Sequence, residues 1–142
     1  IEIMKRTAQA VWKGSLKEGS GKISTQSKVL DNDKYSFKTR FEDGKGTNPD
    51  ELIAGAHAGC FAMALSMILG EAGYTPESLD ATAEVTMDTD TLELTKSHLK
   101  LKAKIPNISK EKFLESANAA KDNCPVSKVL NCEITLDATL AS

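Results

Sequence analysis

The residues able to do covalent chemistry are few: Cys60, Cys124 and Cys132 are the only thiols in 142 residues. A thiol reacts as its thiolate, so what matters is the group that lowers its pKa. Cys124 lies in "DNCPVSK", ahead of a proline suited to a helix's first position. Peptide N–H groups there favour a thiolate, although a capping position is also an ordinary place for a small residue. Cys60 lies deep in an apolar run, too far from any helix start for the macrodipole to act. A reactive role for it requires a cation delivered from elsewhere; otherwise it is a small buried hydrophobe. Cys132 alternates with Ile134 and Leu136 and reads as core.

Arg40 is one of only two arginines, against sixteen lysines. Either it faces solvent, or a partner covers it and a carboxylate such as Asp50 or Glu51 holds its guanidinium bidentately. His57, three residues before Cys60, has a spacing that suits two metal ligands on one helix face. No CxxC or HExxH accompanies the pair, so no metal is expected.

These residues need elements to position them. "AQAVWKG" and "GKISTQS" read as a hairpin joined through "EGSGK". "YSFKTRF" alternates, and is expected to be a strand with Tyr35, Phe37, Thr39 and Phe41 on one face and Arg40 on the other. At "GTNPDEL", Thr47 or Asn48 can cap a helix whose first turn holds Pro49, Asp50 and Glu51. That helix is expected to reach Gly70 or Gly73. From Leu52 to Gly70 it has no formal charge and no polar stripe, so it is buried or spans a membrane. His57, two interior glycines, a cap built for water and acidic flanks favour a core helix. One small domain has too little sheet to surround it. Gly55 and Gly59 would let another backbone approach closely, so a homodimer burying two such helices is expected.

Strands then return. "LDATAEVTMD" alternates, and "TLELTKSHLKLKAKI" shifts its apolar parity, predicting a bulge near Lys96 to His98. "ISKEKFLESANAAK" predicts a helix capped by Ser109 with Phe113, Leu114, Ala117 and Ala120 inward. A short helix near Pro125 and a closing strand "CEITLDATL" complete an α+β order, βββ–α–ββ–α–α–β, in a single domain over 1–142.

Composition narrows the function classes. A net charge of −2 with intermixed signs argues against a nucleic-acid face or polybasic membrane patch. An odd number of distant cysteines is not a secreted disulfide framework, and "IEIMKRTAQAVWKG" has no apolar signal core. A cytoplasmic protein is expected.

Together these residues resemble the OsmC family (osmotically inducible protein C), sister to the Ohr organic hydroperoxide resistance proteins. The likeness is densest in "YSFKTRFEDGKGTNPDELIAGAHAGCFAMALS" and "CPVSKVLNCEITLD". It implies an intertwined homodimer with the long helices central and the sheets outside. It also implies a thiol peroxidase that reduces organic hydroperoxides to alcohols without metal or haem, resupplied by an external dithiol, notably a lipoylated protein. By motif position Cys60 corresponds to the peroxidatic cysteine, Cys124 to the resolving one and Arg40 to the catalytic arginine of the OsmC branch. "LKEGSGK" lacks the hairpin arginine of the Ohr branch. The family's glutamate after the proline is Asp50 here, one methylene shorter, with Glu51 in reserve. The implied pocket is apolar, walled by the buried helix, with the Cys60 sulfur at its floor. Attack yields a Cys60 sulfenic acid that condenses with Cys124 to a disulfide. The same cleft in a redox sensor or a hydrophobic small-molecule-binding module is the alternative.

Overall fold

The computed structural model describes residues 2–141. The chain divides after Leu52 into two compact units. In the first, β1 (Ala8–Lys13), β2 (Ser20–Thr25) and β3 (Asp33–Tyr35) form an antiparallel meander in that order. Gly21 on the central strand pairs with Trp12 on one side and Tyr35 on the other. The two rings, centroids 5.4 Å apart, close over the space where its side chain would stand. A cross-strand aromatic pair over a glycine pins the register.

The strand expected through "YSFKTRF" ends at Tyr35, and a five-residue helix α1 (Phe37–Phe41) follows. Ser36 starts it: its Oγ accepts the Thr39 N–H at 3.3 Å, while Thr39 Oγ1 accepts the Ser36 N–H at 2.7 Å. That is a capping box with threonine in the place usually held by Glu or Gln. The correction has a simple cause. Phe37 and Phe41 are four apart, which puts them on one face of either a strand or a helix. In the helix they stack at 4.8 Å. Arg40 therefore projects from a helical turn rather than from a strand face.

Helix α2 (Pro49–Glu71) begins as its residues dictate. The Glu51 N–H donates to Asn48 Oδ1 at 2.8 Å, and Thr47 Oγ1 donates to the Glu51 carboxylate at 2.9 Å. Gly73, at φ +90°, follows its end. The second unit contains most of α2, a sheet ordered β4 (Ser78–Asp88), β5 (Glu93–Lys104), β6 (Glu133–Leu140), and the helices α3 (Lys110–Asn123) and α4 (Pro125–Val129). β5 and β6 are parallel, so α3 and α4 form the crossover that such a pair requires. The fold is α+β, as expected, with α1 as an added helix.

The bulge is displaced from its expected place. Thr86 pairs with Lys96 and Met87 with Leu94, leaving Thr95 as the extra residue, one position before the predicted stretch. Parity in the sequence locates such a shift only to within the polar residues that straddle it. Ser109 caps α3 as predicted, its Oγ accepting the Lys112 N–H at 3.1 Å. Phe113, Ala117 and Ala120 join Phe61, Leu65, Leu69, Leu99 and Leu101 in the core, with Leu114 packed at its edge. Cys132 precedes β6 and is half-buried.

α2 is buried on one stripe only. His57, Phe61, Leu65 and Leu69, four apart, are sealed. Two residues on, or about 200° around the helix, lies the series Gly55, Gly59, Met63, Met67. Among the described residues nothing lies within 4 Å of a side-chain carbon placed at either glycine, and Met63 and Met67 are 77% and 61% exposed. α2 is also long and apolar enough to cross a membrane by length and composition. Within the second unit, one face of the helix is covered and the opposite apolar face is bare.

Candidate active site

Cys60 and Cys124, 64 positions apart in sequence, are brought together in the second unit. Both are free thiols, and they lie close enough for the Cys124 thiol to act on Cys60. Cys60 is half-buried on α2, whereas Cys124 is fully buried. Cys124 is fixed from both sides as the junction of two helices. Its N–H donates to Ala120 O at 3.0 Å, closing α3, and its Sγ accepts the Ser127 N–H at 3.4 Å, opening α4. Pro125 at the first position of α4 enforces that break.

Burial pushes the Cys60 thiol pKa up. The Val126 N–H, donated to its sulfur, opposes this, and the neighbouring Cys124 thiol adds to the rise. Within the second unit Cys60 therefore rests as a neutral thiol, and turning it into a nucleophile calls for a cation.

The chain's candidate cation is built in the first unit. Arg40 Nη2 donates to Asp50 Oδ1 at 3.3 Å, across side chains that are 37% and 17% exposed. The guanidinium carbon also lies 5.7 Å from the centre of the Phe41 ring. Glu51, the reserve carboxylate, turns instead to Thr47. Beside Arg40 is an open cleft of about 300 Å³, walled by Trp12, Leu16, Tyr35, Phe37 and Phe41. The apolar walls found next to the arginine thus come from aromatics of β1, β3 and α1 and from Leu16 between β1 and β2, with only Pro49 from the long helix.

His57 is not placed to ligate a metal. Its Nδ1 pairs with Ser97 Oγ at 2.7 Å and its Nε2 with Ser127 Oγ at 2.8 Å. Burial pushes its pKa down, so the ring is neutral. Ser127 Oγ also lies 3.0 Å from Cys124 Sγ. A continuous hydrogen-bonded chain, Ser97–His57–Ser127–Cys124, therefore threads the interior and ends at the sulfur beside Cys60. Sequence reading did not find the two serines. Ser127 sits in the quoted "CPVS" motif, but Ser97 is 40 positions from His57 and carries no local signal.

The OsmC-like protein family matches residues 42–139. The chain is 51% identical over 139 residues to Peroxiredoxin OsmC of Escherichia coli, covering 96% of this chain and 97% of that one. It is 32% identical over 119 residues to an organic hydroperoxide resistance protein-like chain of Staphylococcus aureus, covering 82% and 84%. An OsmC-like protein structure from Mycoplasma pneumoniae superposes with a TM-score of 0.75 at 18% identity, over 98% of this chain and 99% of that one, a likeness of fold. Sequence kinship over nearly its full length and a shared fold agree: the chain belongs to the OsmC family.

Proposed function

We propose that this protein is a thiol peroxidase that reduces organic hydroperoxides to alcohols. The observation that carries the reading is the contact between the free thiols Cys60 and Cys124 in a chain half identical to a peroxiredoxin. Cys60 is the attacking sulfur because it is the half-exposed one of the pair; Cys124 is sealed. Arg40 supplies the cation that Cys60 needs, stabilising the thiolate and the charge that develops on the departing alkoxide, with Asp50 aiming the guanidinium. The aromatic cleft beside Arg40 suits the organic tail of the substrate. Cys60 attacks the peroxide O–O bond, the alcohol leaves, and the Cys60 sulfenic acid condenses with Cys124 to a disulfide with loss of water. An external dithiol, of the lipoyl type, returns both thiols, and no metal or bound organic cofactor takes part. A reducing compartment such as the cytoplasm suits that cycle.

The working unit is a homodimer. The bare face of Gly55, Gly59, Met63 and Met67 lies opposite the sealed stripe, and a second copy covers it best because the small residues admit another helix closely. Turnover separates this function from redox sensing or small-molecule binding. With cumene hydroperoxide in excess and a lipoyl donor, the protein should consume peroxide catalytically. Cys60→Ser should abolish consumption, while Cys124→Ser should still permit one stoichiometric turnover. One turnover only in the parent, or exchanged variant phenotypes, would refute the reading.

A further inference from the structure

Ser127 and His57 have no part in the chemistry above, yet they join a buried imidazole to one of its two sulfurs. Condensation with a sulfenic acid requires Cys124 to give up its proton, and Cys124 is 0% exposed, so water is poorly placed to take it. Within hydrogen-bonding reach is one hydroxyl, Ser127 Oγ at 3.0 Å, itself 2.8 Å from His57 Nε2. The opposite ring nitrogen pairs with Ser97 Oγ at 2.7 Å, which fixes the ring plane; the relay uses the tautomer in which Nδ1–H donates to that oxygen and Nε2 is the acceptor. The backbone of Ser127 donates to the same sulfur. One residue therefore offers Cys124 both a proton exit through its hydroxyl and a peptide donor for the resulting thiolate.

We propose that Ser127 relays the Cys124 proton to His57, so that Ser127 acts directly on the resolving sulfur and His57 is its positioning residue. The inference rests on Cys124 being the resolving thiol. The step balances as follows. The S–H proton of Cys124 passes to Ser127 Oγ as Ser127 hands its own to Nε2. The freed sulfur lone pair forms the S–S bond to Cys60, whose S–O bond breaks. Hydroxide leaves and takes a solvent proton to become water. Cys124 is oxidised and the sulfenic sulfur reduced, both to disulfide. One proton stays on the imidazole, held between two serine hydroxyls, until the external dithiol expels Cys124 as thiolate and the proton returns by the same route.

The test is a single turnover of the intact protein with one equivalent of cumene hydroperoxide. It follows peroxide loss as one phase and disappearance of dimedone-trappable sulfenic acid as the next. Ser127→Ala should leave the first phase unchanged and slow the second on the order of 100-fold, with trappable sulfenic acid accumulating. Ser127→Thr, which keeps the hydroxyl, should restore it. His57→Gln should slow the second phase alone and abolish the solvent isotope effect that the parent shows there. Equal slowing of both phases, a second phase in Ser127→Ala as fast as the parent's, or no isotope effect in the parent would overturn the relay. The isotope measurement uses the parent, so it stands even if a variant misfolds. A parent that never forms sulfenic acid overturns the peroxidase reading itself, and a parent that does so separates the two failures.

Discussion

Replacing Arg40 by glutamine tests what makes Cys60 a nucleophile. Burial raises the Cys60 pKa above the ordinary cysteine value of 9.0. At pH 7 such a thiol is on the order of 1% thiolate or less. If Arg40 is the cation that overcomes this, Arg40→Gln should lower the second-order rate with an organic hydroperoxide by about 100-fold at pH 7, roughly 3 kcal/mol of barrier. The sign of the pH dependence follows. The reactive form is the deprotonated one and the pKa is raised, so the variant should regain rate as pH rises. The gain should be about tenfold per unit between pH 7 and pH 9, where the parent stays flatter. The fold should hold, because the Arg40–Asp50 pair is partly exposed and worth no more than about 1 kcal/mol. Asp50→Asn keeps the cation and loses its aim, so the loss should be smaller, on the order of tenfold. Glu51→Ala should leave the rate unchanged, since that carboxylate is engaged with Thr47. Stopped-flow peroxide consumption across pH, with thermal melts as controls, reads all three. An Arg40→Gln rate equal to the parent's at pH 7, or a loss that pH does not restore, would refute the reasoning.

Two other outcomes follow from the packing. Met63→Glu places a charge on the bare face of α2 and removes an apolar side chain whose burial is worth about 1.5–3 kcal/mol, counted twice across a two-fold interface. Dimer association, read by sedimentation, should weaken by at least about 100-fold, and an unchanged profile would place the interface elsewhere. Gly21→Ala drives a methyl into the Trp12 and Tyr35 rings and should destabilise the first sheet by about 1–3 kcal/mol, visible as a loss of near-ultraviolet aromatic ellipticity. A native spectrum and melting point would show that the rings can part freely.

What could be read along the chain was whatever rests on neighbours in sequence. Asn48, Pro49 and the acids after them announce α2, Ser109 announces α3, and Pro125 announces α4. The alternation in "LDATAEVTMD" gives β4, because capping and pleat are decided within a few residues. Residue type and position singled out Cys60, Cys124, Arg40 and the acids Asp50 and Glu51, and the resemblance assigned their roles. Where two local solutions share a period, sequence misled: Phe37 and Phe41 fit a strand or a helix equally, and only the reciprocal Ser36–Thr39 bonds chose the helix.

Tertiary structure alone decided which partners met across long separations. It put Cys124 against Cys60, turned Asp50 rather than Glu51 toward Arg40, and gave His57 a serine on each nitrogen, 40 and 70 positions away. It also divided α2 into a sealed stripe and a bare one, which a run apolar on every side could not foretell. Periodicity reports that a face is apolar. Which atoms cover that face, and which polar groups satisfy one another beneath it, depends on contacts that exist only once the chain has closed on itself.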